Sequence, residues 1–356
     1  MTTPHSLEIK RQNGSYTVHF LPSLTKALSA AQSSNSVYLI DSKVLDLYSD
    51  DFAGLPKEKC ISVVANEENK TFALLENVFA QMISAGFKKN SKLVVIGGGI
   101  LQDIGGFAAS VFYRGVSWDL IPTTLLAQAD SCIGSKTSVN LPQGKNLLGT
   151  FHPPSQVLLT TSVLKTLAPM DIRSGLCEAV KLGIVESQDS VTWMQAHLGE
   201  ALQGRGLDEF LYRALEIKKK YIEEDEFDRG VRNLLNFGHT FAHAFESVAN
   251  YEIPHGIAVG IGIKAAFYFS SALGLISKEL YVEVRDLFSP LTVGFDQIVR
   301  KFAVDEYIKV MRTDKKNSSS DITFILARGY GQLFKMPLSP EKSAVLLAEY
   351  LKLADS

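Results

Sequence analysis

Apolar residues in the first half of the chain gather into short continuous runs, each bounded by helical or polar segments. The runs are Val37-Tyr-Leu-Ile40, Cys60-Ile-Ser-Val-Val64, Leu93-Val-Val-Ile96 and Asp119-Leu-Ile121. Short β-branched runs of this kind, alternating with helical stretches, predict βαβ units and a parallel sheet. From about Lys165 the pattern changes to long amphipathic stretches, Leu207–Glu224, Leu234–Ala249 and Ile257–Leu273, with few strand-like runs between them. That half reads as mainly helical. A boundary at residues 150–170 is marked by His152-Pro153-Pro154 and Ala168-Pro169. The length of 356 residues suits two domains, and the cleft between two domains is a usual place for a ligand.

Composition narrows the function. With 46% hydrophobic and 21% charged residues the chain is an ordinary globular one. Thirty-six basic against thirty-eight acidic residues leave a formal charge of −2, so no global field holds nucleic acid or an anionic membrane. An anionic ligand must be held locally. Three cysteines, Cys60, Cys132 and Cys177, stand far apart with no CxxC, which argues against a disulfide framework or a thiolate zinc site and fits a reducing cytosol. Met1–Gly14 lacks the pattern of a signal peptide, and Ile257–Leu275 is interrupted by Lys264 and small polar residues. A cytoplasmic protein with neither nucleic acid nor membrane as partner is expected.

Three segments mix glycine with ionisable residues. Leu93–Ile96 runs directly into Gly97-Gly98-Gly99 and on to Asp103, a strand ending in a turn where backbone can approach a pyrophosphate at the start of a helix. The pattern is GGGxxxD, not GxGxxG. Asp41, at the end of an earlier strand, suits either a ribose hydroxyl or a helix cap. Glu178 and Lys181 lie three apart in an apolar context, where a buried carboxylate needs a cation. Only seven histidines occur, and His239, His243 and His255 fall close together. The i, i+4 spacing of the first two lets both face one site, and two histidines with a carboxylate make a catalytic zinc site. Position 240 is threonine, so there is no HExxH. Arg114-Gly115, Gly134-Ser-Lys136 and Gly144-Lys145-Asn146 put cations in turn-like contexts suited to a phosphate or carboxylate.

Gly97-Gly-Gly-Ile-Leu-Gln-Asp103, Tyr113-Arg-Gly115, Pro122-Thr-Thr-Leu-Leu-Ala127, Asp130-Ser131, Lys136-Thr137, Gly144-Lys-Asn146, Glu178-Ala-Val-Lys181, Arg232-Asn-Leu-Leu-Asn-Phe-Gly-His239, His243 and His255-Gly256 together resemble the 3-dehydroquinate synthase family of sugar-phosphate cyclases. The resemblance implies an α/β, Rossmann-like NAD-binding domain over 1–165 and an all-α, metal- and substrate-binding domain over 166–356, in a homodimer. It implies Zn²⁺ or Co²⁺ on Glu178, His239 and His255. It implies NAD⁺ on Asp41, Glu67, Lys70, Gly97, Gly98, Gly99, Asp103, Thr123, Thr124, Lys145 and Thr166. Around the substrate it implies Lys136, Asn146, Asn236, His243 and the Lys315-Lys316 pair for the phosphate, with Arg114 reaching in from the partner subunit. Lys218 and Arg232 are implied for the carboxylate, with Asp130 and Lys181 lining the site. The implied reaction converts 3-deoxy-D-arabino-heptulosonate 7-phosphate to 3-dehydroquinate by transient oxidation, phosphate elimination, re-reduction and aldol closure.

The chain departs from the family pattern at several positions. Ser135 stands where a glycine is usual, Ile257 where a glutamate follows the histidine-glycine pair, Ala242 for another glycine, Asp228 for a glutamate and Thr161 for an acidic residue. Ser135 is expected to narrow a loop, and Ile257 to remove an orienter of the metal site. These departures admit a related cyclase acting on a neutral sugar phosphate, of the 2-deoxy-scyllo-inosose or 2-epi-5-epi-valiolone synthase type. Retention of Lys218 and Arg232 favours the carboxylate substrate. A glycerol-dehydrogenase-like alcohol dehydrogenase shares the architecture and would accumulate NADH.

Overall fold

The computed structural model describes residues 6–313 and 321–353. Lys315 and Lys316 lie outside the described residues. The chain forms two compact units, Met1–Ala168 with Gly206–Phe227, and Pro169–Arg205 with Asp228–Ser356.

The first unit is built on strands β1 (Ser6–Arg11), β2 (Gly14–Phe20), β3 (Ser36–Asp41), β4 (Cys60–Val63), β5 (Lys92–Gly97), β6 (Ser117–Pro122), β7 (Lys136–Leu141), β8 (Gly144–Phe151) and β9 (Gln156–Leu159). Seven of them form one sheet in the order β1-β2-β9-β6-β5-β3-β4, parallel except for the antiparallel edge pair β1–β2. Val37, Leu39, Leu93, Val95, Leu120 and Ile121 are fully buried, as strands covered on both faces require. The direction of travel reverses between β3 and β5, whose C-terminal ends are Asp41 and Gly97. That is the switch point at which open α/β sheets bind ligands.

Helix Gly99–Val111 lies close on β5 because position 105 has no side chain: a Cβ at Gly105 would come 2.4 Å from Val95 Cγ2. Gly105 thus fills the helix-packing role of the third glycine in a GxGxxG turn. β7 and β8 form a separate antiparallel hairpin. Helix Leu207–Glu224 belongs to this first unit, with Glu223 accepting from the Lys10 amide at 2.8 Å.

The second unit is helical, and among its described residues carries one antiparallel hairpin, Ile322–Ala327 with Leu333–Leu338. At its centre runs helix His255–Ala272, which is buried on all sides and not amphipathic as its sequence suggested. The one lysine inside it, Lys264, meets Asp296 at 2.5 Å and Thr292 at 2.8 Å. Glycines set the spacing of its neighbours. A Cβ at Gly256 would stand 1.9 Å from Ser174 O, at Gly260 2.9 Å from Cys177 Sγ, and at Gly262 2.2 Å from Gly238 O. Helix Pro169–Glu186 and the start of helix His239–Val248 therefore approach it almost backbone to backbone. The expected single helix Leu234–Ala249 is broken at Gly238, where φ is +80°.

Candidate functional site

In the second unit that close packing brings three side chains from three segments together. Glu178 comes from the middle of helix Pro169–Glu186, and His239 opens helix His239–Val248 after the Gly238 break. His255 opens the central helix after Pro254. One ligand atom from each lies within 4.8 Å of the others. Nε2 of His239 is 3.6 Å and Nε2 of His255 3.4 Å from the same oxygen, Oε1 of Glu178. Nδ1 of His239 sits 3.2 Å from the Phe237 carbonyl, and Nδ1 of His255 lies 3.2 and 3.3 Å from the two oxygens of Glu246. In a neutral ring such acceptors place the proton on Nδ1 and leave Nε2 for a ligand. Two histidine nitrogens and a carboxylate oxygen facing one point make a donor set that suits a divalent metal of the zinc class.

Lys181, 2% exposed, contacts the other Glu178 oxygen. Burial works to raise the Glu178 carboxyl, but Lys181 and His255 hold it down at about 2. Burial works to lower His255, but the Glu178 and Glu246 carboxylates raise it to about 10. The His243 ring stands 5.6 Å from His239 and 6.3 Å from His255, beside the converging atoms and not among them. Arg232 is buried, and Asn236 donates to the Asn233 carbonyl at 3.1 Å.

In the first unit two groupings appear. At the switch point, helix Gly99–Val111 begins after Gly98 with no side-chain cap, leaving its first amides for an anionic ligand. A Cβ on Gly98 would meet Thr124 Cγ2 at 2.8 Å, and Thr123 donates its amide to the Gly97 carbonyl at 3.0 Å. This bare helix start fits a dinucleotide pyrophosphate. Asp41 caps helix Ser42–Leu47 through the Lys43 amide at 3.1 Å, and Thr166 Oγ1 lies 3.0 Å from Tyr48 OH.

Next along the same helix, Asp103 joins a partly buried network. Lys70, 3% exposed, donates to Asp103 at 2.5 Å and to Asn146 Oδ1 at 2.6 Å, with the Ser138 hydroxyl 2.9 Å from Asp103. Asn140 ties the Asn146 amide (2.8 Å) to Glu67 (2.7 Å), and Lys145 stands 4.0 Å from Glu67. Asn146, expected beside the substrate phosphate, thus shares a network with Glu67, Lys70, Asp103 and Lys145.

The second grouping pairs buried Lys218 with half-buried Asp130, 3.0 Å apart, with Lys218 also on the Asp130 carbonyl at 2.5 Å. A one-turn π-helix, Ala127–Ser131, presents Asp130 for it. Lys136 and Arg114 are exposed in this unit. Ser138, Asn140 and Glu246 escaped the sequence reading. Glu246 had a signal: it lies seven residues after His239, two turns along the same helix face.

With its seven-stranded sheet unit and helical metal-type unit, the chain has the architecture of the sugar-phosphate cyclases. The solved 2-deoxy-scyllo-inosose synthase complexed with carbaglucose-6-phosphate, NAD⁺ and Co²⁺ superposes with a TM-score of 0.86 at 22% identity, over 98% of this chain and 99% of that one. The 2-epi-5-epi-valiolone synthase of Streptomyces hygroscopicus subsp. jinggangensis, solved with NAD⁺ and Zn²⁺, gives 0.80 at 25% identity, over 96% and 98%. Within that class the chain belongs to the 3-dehydroquinate synthase family. The family's N-terminal profile matches residues 60–174 and its C-terminal profile residues 175–317. The 3-dehydroquinate synthase of Alkaliphilus metalliredigens is 33% identical over 97% of this chain and 99% of its own length.

Proposed function

We propose that the chain is a 3-dehydroquinate synthase, converting 3-deoxy-D-arabino-heptulosonate 7-phosphate to 3-dehydroquinate and phosphate, with NAD⁺ and a divalent ion bound, as a cytoplasmic homodimer. The observation that carries the reading is the triad Glu178, His239 and His255, in a chain that aligns end to end with enzymes of that name. When bound, NAD⁺ would take up and return a hydride while the ion polarised the reacting hydroxyl.

The chain's own residues have separable tasks. The amides at the start of helix Gly99–Val111 would bind the pyrophosphate, with Thr123 and Thr124 beside them and Asp41 and Thr166 available to sugar hydroxyls. Lys70 would hold Asp103 and Asn146 in place, and Glu67 and Lys145 would complete that wall. Glu178, His239 and His255 would hold the ion, with Lys181 fixing the Glu178 carboxylate. Lys218, oriented by Asp130, and Arg232 would neutralise the substrate carboxylate. Lys136, Asn236 and His243 would serve the phosphate, with Arg114 supplied by the partner subunit. These groups position charge at the departing phosphate and need not themselves react.

The test is phosphate release from a panel of sugar phosphates, with NAD⁺ and zinc supplied. Release from the seven-carbon acid is expected. Activity confined to a sugar phosphate lacking the carboxylate would shift the reading to a related cyclase.

A further inference from the structure

The resemblance leads one to expect a carboxylate directly after the His255-Gly256 pair, and this chain has Ile257 there, fully buried. The orienting group comes from elsewhere. Glu246 lies near the end of helix His239–Val248, 13% exposed, with both carboxylate oxygens within 3.3 Å of His255 Nδ1. Among the described residues, His255 is the partner of this carboxylate.

Local structure explains how the two meet. Glu246 sits two helical turns from His239 and so shares its face. Just beyond it the chain reverses through Asn250 and Tyr251, both at positive φ (+49° and +61°), with the Tyr251 amide donating to the Glu246 carbonyl at 2.7 Å. The reversal returns His255 alongside Glu246. A neutral imidazole has one proton to place. On Nε2 it would block the lone pair facing Glu178; on Nδ1, held by a carboxylate, it leaves Nε2 free and makes it more basic.

We infer that Glu246 is the positioning residue of the metal centre: it selects the ligating tautomer of His255 and sets the affinity for the divalent ion. This rests on the proposed metal reading of Glu178, His239 and His255. Glu246 acts through His255 and touches neither substrate nor ion.

The experiment is a zinc competition titration against a chromophoric chelator on metal-stripped full-length protein, wild type and variant, with the melting temperature of each stripped protein recorded. Glu246→Ala is expected to weaken zinc binding by about 10- to 100-fold. Glu246→Gln, which keeps an acceptor and loses the charge, is expected to recover part of that loss and serves alone if the alanine variant does not fold. A Co²⁺-loaded sample should show a changed visible spectrum in both. Wild-type zinc affinity in both variants, even with lowered melting temperatures, would overturn the inference and leave the metal reading standing. Absence of stoichiometric zinc from the wild type would overturn both.

Discussion

Ser135 carries two local costs at once. Its φ is +65°, the left-handed region, and its hydroxyl is buried with no hydrogen-bond partner among the described residues. A side chain in that conformation costs about 1–2 kcal/mol and an unsatisfied hydroxyl a similar amount, partly offset by the freedom glycine gives the unfolded chain. Ser135→Gly should therefore stabilise the protein by about 1 kcal/mol, read from the midpoint of a denaturant titration. A midpoint that stays put or falls would contradict this. At the same scale, single residues were unevenly legible. The i, i+4 spacing pointed to His239 and His243 as a pair, but the convergent atoms belong to His239 and His255, because the Asn250–Tyr251 reversal and a second helix start decide which imidazole faces Glu178. Asp41 offered two readings from sequence, and its side chain caps a helix.

Helix His255–Ala272 decides whether the proposed metal centre can assemble, since its glycines admit the helices that bring Glu178 and His239. Gly256→Ala puts a Cβ 1.9 Å from a backbone oxygen that cannot give way. A loss of about 3 kcal/mol in stability is expected, with zinc uptake impaired. Gly199, within helix Gln188–Leu202 and with nothing near its Cβ position, is the matching control; Gly199→Ala should gain about 0.5–1 kcal/mol. Equal effects at the two positions would remove the packing argument. The central strands were legible because buried parallel strands read as apolar runs. Strands Ser6–Arg11, at the edge, and Gly14–Phe20 beside it were not, since only alternate residues such as Leu7 and Ile9 face inward and the rest look like a polar terminus. Hairpin β7–β8 was hidden for a related reason: its lysines and glycines read as ligand-binding turns, while antiparallel pairing makes them a strand pair.

At the scale of the whole molecule, the proposed metal on Glu178, His239 and His255, drawn from three separated segments, would link binding to folding. An ion that binds the folded chain alone stabilises it by about 2.7 kcal/mol at a free concentration one hundred times Kd. Removing it with a chelator should lower the melting temperature, and adding zinc should restore it; a melting curve indifferent to both would count against the triad. The combination of an α/β part with a helical part was legible from the change of hydrophobic period along the chain. The membership of helix Leu207–Glu224 in the first unit was not, because a periodic helix does not disclose which core its apolar face meets. No helix among the described residues is long and apolar enough to cross a membrane. The central claim is tested most directly by incubating the zinc-loaded protein with 3-deoxy-D-arabino-heptulosonate 7-phosphate and NAD⁺, following phosphate, 3-dehydroquinate and NADH together. One phosphate released per 3-dehydroquinate formed, with no net NADH, is the predicted result; accumulating NADH, or no turnover of this substrate, would contradict it.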